Sequence, residues 1–183
     1  MIEQNTVKFL QNLSINNNRD WFADNRKFYE AARDNFIAFI DDLIPDLQKI
    51  DPFITDVSAK NAVFRIFKDV RFSKNKEPYK TNFGAAMGKG GRKSEYPGYY
   101  LHIKPDGETF VGGGIHHPQP PILKSIRSEI AHNTKQFEEI INDSDFLANF
   151  GELEGDRLIR PPKGFDKEHP AVEHLKRKDF LML

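Results

Sequence analysis

Between Gly98 and Gly114 the chain carries two extended runs around Pro105–Asp106–Gly107–Glu108, and no other stretch constrains the fold as much. Proline presets φ for a turn, aspartate hydrogen-bonds the backbone beyond it, and glycine takes positive φ without steric cost. The two runs must therefore fold back on each other, which predicts a β-hairpin over 98–114. With Asp106–Gly107 at the centre, Tyr99 and Tyr100 are expected opposite Gly114 and Gly113, with their rings lying over bare backbone. A lone hairpin is marginal in water, so further elements must cover it.

The first fifty residues supply helices. Val7, Leu10 and Leu13 recur at a three-residue spacing before Asn16–Asn17–Asn18 interrupts the pattern. Asn18 is a good N-cap for a second helix beginning near Arg19–Asp20–Trp21–Phe22, with Trp21–Phe22 as a core anchor. From Lys27, the set Phe28, Ala32, Phe36, Phe39, Ile40, Leu43 and Leu47 makes a long amphipathic helix. Pro45 is expected to kink it or to start a new turn.

The period then changes. In Ala62–Ser73 the even positions Phe64, Ile66, Val70 and Phe72 are apolar, which predicts a strand with Arg65, Asp69, Arg71 and Ser73 on one face. After Pro118–Pro121 the helical pattern returns at Ile122, Ile126 and Ile130. Thr134 then reads as the N-cap of another helix, and a last helix is expected near Pro170–Lys176. Helices first, antiparallel sheet next and helices last give an α+β fold, expected as one domain over 1–183. The apolar end Phe180–Leu183 hints at a C-terminal element beyond this chain.

Composition excludes several functions. Cysteine is absent, which removes disulfides, thiolate catalysis and Cys-ligated zinc, and suits a reducing compartment. No run of about 18 apolar residues or signal-peptide pattern occurs, so a cytoplasmic protein without a membrane span is expected. The 27 basic and 27 acidic residues cancel, but unevenly. Residues 20–56 carry nine acids against four bases, whereas residues 60–93 carry ten bases against Asp69 and Glu77 alone. A basic segment of that kind calls for an anionic partner or an opposed acidic surface.

Within it, Arg65, Asp69, Arg71, Lys76, Tyr79 and Lys80 are the candidate ligand-binding residues. Arginine forks and lysine ammonium groups near a hydroxyl suit phosphate or carboxylate recognition. Tyr79 offers a ring for stacking and a phenol whose pKa surrounding cations would lower, so Tyr79 and His102 are the candidate proton-transfer groups. His116 is a second histidine of that kind. The competing view pairs Asp69 with Arg65 or Arg71 inside a sheet and leaves the lysines solvated. Met87–Lys93 is glycine-rich and basic but lacks P-loop spacing; a mobile loop is expected, serving as a flap over the same site. Gly112–Gly114 could form a backbone anion nest, or simply pack under tyrosine. No metal and no cofactor is expected. Adjacent His116 and His117 on extended chain would point to opposite faces, and no carboxylate stands at ligand spacing in the sequence.

The run RIFKDVRFSKNKEPYKT resembles the signature of a widespread bacterial family of conserved hypothetical proteins, a domain of unknown function. Asn17–Phe22, Gly98–Tyr100, Gly112–Gly114 with Pro118, Leu123–Arg127 and His169–Pro170 also resemble family positions. Lys68, Val70 and Asn75 depart from the usual Arg, Thr and Asp. The resemblance implies no activity. It gives weight to the 65–80 segment as a pocket for a small anionic ligand. The alternatives are a structural or protein-interaction domain, and a nucleic-acid-binding module, which zero net charge disfavours.

Overall fold

The computed structural model describes residues 1–71 and 74–183. The chain divides into two compact units, residues 1–94 with 98–111, and residues 95–97 with 112–183. Four strands form one antiparallel sheet in the order β1-β2-β3-β4: β1 Phe83–Gly88, β2 Gly98–Ile103, β3 Phe110–Ile115 and β4 Phe180–Met182. Helices precede and follow it, so the expected α+β class holds. The predicted turn lies between β2 and β3, where Asp106 and Gly107 both take positive φ.

In the first unit, α1 (Gln4–Ile15) buries Thr6, Phe9, Leu10 and Leu13. Asn18 caps α2 (Arg19–Asp24), its side chain accepting the Trp21 amide at 2.9 Å. Helix α3 (Arg26–Ile50) buries Tyr29, Ala32, Phe36, Ile40 and Ile44, one every three or four residues. It continues through Pro45 without a break. A proline removes one backbone donor, but the buried stripe on either side holds the helical path. Phe36, Ile40 and Ile44 each contribute roughly 1.5–3 kcal/mol of burial. These faces meet Phe83, Ala85 and Met87 of β1 and Leu101 and Ile103 of β2 in one core. Strands β1 and β2 pair from Phe83↔Ile103 to Gly88↔Gly98.

The strand predicted over Ala62–Ser73 does not form as a continuous ladder. Ala62 instead ends α4 (Ala59–Ala62), whose capping box joins Ser58 and Asn61. Beyond it are isolated bridges, Val63↔Ala85 and Phe67↔Tyr79. The alternation of Phe64 and Ile66 reflects extended chain, but one paired first to β1 and then to 78–80. Phe72 and Ser73, the end of that predicted strand, lie outside the described residues.

The glycine-rich loop is tethered. Gly90 donates its amide to Thr55 O at 2.8 Å, and the Arg92 guanidinium reaches Lys60 O and Asn61 O at 3.2 and 2.8 Å. It is hydrogen-bonded to Thr55 and to the α4 region.

In the second unit, α5 (Pro120–His132), α6 (Thr134–Ile141), α7 (Ser144–Phe150) and α8 (Val172–Leu175) accompany β4. Ile130, Ala171 and Leu175 form its buried cluster, against which Ile126, Phe137, Phe165 and Phe180 pack. Thr134 does not cap α6. Its hydroxyl donates to Ile130 O and Ala131 O, satisfying carbonyls at the end of α5. Buried Arg127 and Arg177 act as internal ties, Arg127 to Arg177 O and Arg177 to Leu153 O, both at 2.7 Å.

The tyrosine-over-glycine expectation is also revised. The glycine beneath Tyr100 is Gly84, where an added Cβ would fall 2.6 Å from the phenol oxygen. Gly112 and Gly114 are covered by β4 instead, Gly112 by Leu183 and Gly114 by the backbone at Phe180.

Candidate functional site

The basic segment is held in place by a backbone clasp. Lys68 donates its amide to Pro78 O at 2.9 Å, and Lys80 donates to Ile66 O at 2.8 Å. Asn17 completes the hold: its side-chain amide donates to Tyr79 O at 3.0 Å and accepts the Tyr79 amide at 3.1 Å. One asparagine thus imitates a neighbouring strand, satisfying backbone groups that burial would otherwise leave orphaned. Residues 17 and 79, far apart in sequence, are thereby joined.

The Tyr79 ring is buried and stacks on Phe22, with centroids 4.0 Å apart and planes at 12°. It is part of the aromatic core. The Arg71 fork grips Asp69 at 2.6 and 2.9 Å, and the side-chain and backbone hydrogen bonds from Arg71 hold the Asp69 carboxyl below its ordinary value. Lys76 donates to Val70 O at 3.1 Å. Arg65 is exposed, with no hydrogen-bond partner among the described residues. Of the six candidates, Tyr79 is thus taken up by the core and Arg71 by Asp69, while the charge of Arg65 reaches both Asp69 and Lys80.

Lys80 is the candidate that lines a cleft. Its volume is about 470 Å³, and Lys68, Thr81, Asn82, His102, Lys104 and the 107–110 turn complete the lining. The Lys80 ammonium stands 5.2 Å from the centre of the Phe64 ring, within cation–π range. Burial lowers its pKa, and the charge of Arg65 lowers it further. No acidic group pairs with it among the described residues. Its neighbours are paired: Lys68 with Glu77 at 3.2 Å, and Lys104 with Glu108. Asn75 in turn orients Glu77 at 2.9 Å.

His102 faces the same cleft. Its Nδ1 lies 3.2 Å from the Tyr100 hydroxyl and 3.5 Å from the Asn82 amide nitrogen, and its ring stacks on Phe110 at 4.8 Å. Both neighbours can donate, which favours Nδ1 as acceptor and leaves the proton on Nε2. Burial lowers the His102 pKa, and Lys104 lowers it further. Burial raises Tyr100. Chemically the arrangement offers one uncompensated ammonium, a neutral imidazole, and Thr81, Asn82 and Thr109 as polar groups. Strand alternation already groups Tyr100 and His102 on one side of β2, with Lys104 just beyond its end. Thr81, Asn82 and Thr109 carried no local signal, because only the packing of the turn beside 80–82 makes them a lining.

The fold and cleft define a mixed α+β protein with a basic, histidine-bearing recess. The chain belongs to the family described as conserved hypothetical protein (DUF2461), whose model matches residues 5–183. No curated protein and no solved structure matches the chain. No helix among the described residues is long and apolar enough to cross a membrane.

Proposed function

We propose that the cleft binds a small phosphate- or carboxylate-bearing ligand, with Lys80 as its principal cation. The observation that carries this reading is the Lys80 ammonium, half-buried in a recess and lacking an acidic partner among the described residues. A partly desolvated cation gains most from an anion that replaces its lost hydration. Arg65 strengthens the positive field without forming an internal pair. Thr81 and Asn82 provide hydroxyl and amide groups able to fix orientation, and His102 offers a proton-transfer group. The competing reading, a structural or interaction domain, draws support from Arg71 gripping Asp69 and from Tyr79 lying in the core.

Thermal-shift and calorimetric titrations with inorganic phosphate, pyrophosphate, sulfate and citrate test the proposal. At least one probe should bind wild type, and Lys80→Gln should weaken it roughly 10- to 100-fold, the worth of a charge-assisted hydrogen bond. No binding by any probe, or equal binding by Lys80→Gln, sinks it.

His102 adds a pH dependence. An anion favours the imidazolium, so affinity for sulfate, whose own charge is constant here, should climb as pH falls toward the lowered His102 value. Folding stability should move the other way. The unfolded chain accepts the proton first, so stability present above about pH 6.5 is lost as pH falls from that value toward the lowered one. In His102→Gln the affinity rise should flatten; an undiminished rise would assign it to another group.

A further inference from the structure

His116, His117 and Asp179 lie together in the second unit, with one potential ligand atom from each within 4.8 Å of the others. Neighbouring residues on extended chain send their side chains to opposite faces. That rule fails here because His117 has φ of +48°, in the left-handed region. The backbone turn brings both imidazoles to one side, with ring centroids 4.0 Å apart. Asp179, 62 residues away, reaches the same point from the residue before β4.

Asp179 is 2% exposed, and its carboxylate is held from two sides. The His117 amide donates to Oδ1 at 2.6 Å and the Asp156 amide to Oδ2 at 3.1 Å. Burial pushes the carboxyl pKa up, but those two amides and the two imidazoles outweigh it, leaving the group below its ordinary value. The backbone bonds account for Asp179 as a clasp between two loops. They do not account for two histidine rings, exposed to solvent, gathered over a buried carboxylate by a left-handed residue. Unusual backbone of this kind in a non-glycine residue concentrates at functional positions.

We infer that His116, His117 and Asp179 form a binding site for a divalent transition-metal ion of the zinc class. Two imidazoles and a carboxylate are borderline donors suited to zinc, cobalt or nickel rather than to magnesium or calcium. With bonds of about 2.0–2.1 Å, tetrahedral ligands stand about 3.3 Å apart. The His117 Nδ1 to Asp179 Oδ1 distance of 3.1 Å is already close to that edge. The exposed rings can rotate to shorten the others. The Asp156 amide supplies the outer hydrogen bond that orients a ligating carboxylate. Three protein ligands leave a coordination position for water or a bound anion.

The test uses chelator-stripped full chain titrated with zinc and cobalt by calorimetry, and cobalt by visible absorption. Wild type should bind one ion per chain, show cobalt ligand-field bands, and be unaffected by excess magnesium. At about a hundred times Kd, zinc should raise Tm by roughly 5–10 °C. His116→Ala should weaken binding at least tenfold. So should His117→Asn, which retains a residue tolerant of positive φ. His132→Ala, elsewhere on the second unit, should bind as wild type does. Absence of stoichiometric binding by wild type overturns the inference. So does unchanged affinity in both ligand variants, or loss of binding in His132→Ala.

Discussion

Phe9→Ala should lower the unfolding free energy by about 3–5 kcal/mol, the cost of deleting a fully enclosed aromatic ring. Phe9 is 0% exposed. Its ring lies 5.5 Å from Phe28, 5.7 Å from Tyr29, 6.2 Å from Trp21 and Phe83, and 6.5 Å from Phe22. Those partners come from α2, α3 and β1, so no single element can move in to fill the space. The loss is a large part of a typical 5–15 kcal/mol stability. Trp21 is the single tryptophan and stacks beside Phe9, so its fluorescence reports urea unfolding of this core directly. Phe53→Ala is the control: at 83% exposure it should shift the midpoint little. A loss below about 1 kcal/mol for Phe9→Ala would show that the surrounding rings repack.

Gly114→Ala should detach β4 from β3. Gly114 has φ of +123°, which side-chain-bearing residues rarely adopt, and a Cβ there would overlap the Phe180 carbonyl. The residue pairs with Leu181 in the β3–β4 ladder. Leu181 also exchanges backbone bonds with Glu154, so displacing β4 undoes pairing on both of its edges. Backbone strain and overpacking each cost about 1–3 kcal/mol, so a combined loss of roughly 2–5 kcal/mol is expected. Hydrogen exchange at the Leu181 and Glu154 amides reads it locally: protection should collapse. Gly164→Ala separates the two causes, since Gly164 has φ of +91° with nothing within 4 Å of an added Cβ. It should show the strain alone. Equal losses at both glycines would refute a special role for close approach at Gly114.

Much of the fold was legible where local signals were strong. The Asp106–Gly107 turn, the Asn18 cap and the apolar stripe of α3 each express a preference of nearby residues for one another. Legibility failed where distant groups intervened. The alternation through Phe64–Val70 looked like one strand, yet its hydrogen bonds divide between Gly84 and the 78–80 backbone. Thr134 had the chemistry of an N-cap and gave its hydrogen bonds to the preceding helix. Pro45 looked like a kink or the start of a new turn, but burial on both sides of it holds the helix together. The charge excess of residues 60–93 was legible as well. Only packing separated Lys80, which lines the cleft, from Tyr79 in the core and from Arg71, which grips Asp69.

By itself, the sequence determined the α+β class, the 98–114 hairpin and the concentration of positive charge beside it, because periodicity, turn chemistry and charge are properties of short stretches. Tertiary structure decided which charges are compensated, and which residues meet across long separations. Asn17 clasping Tyr79 and Asp179 beneath His116 and His117 are joined only in the folded chain, and the positive φ of His117 reverses what its position in the sequence suggests. Burial and pairing decide whether a cation is neutralised within the protein or left available to a ligand, and both depend on which segments the fold brings together.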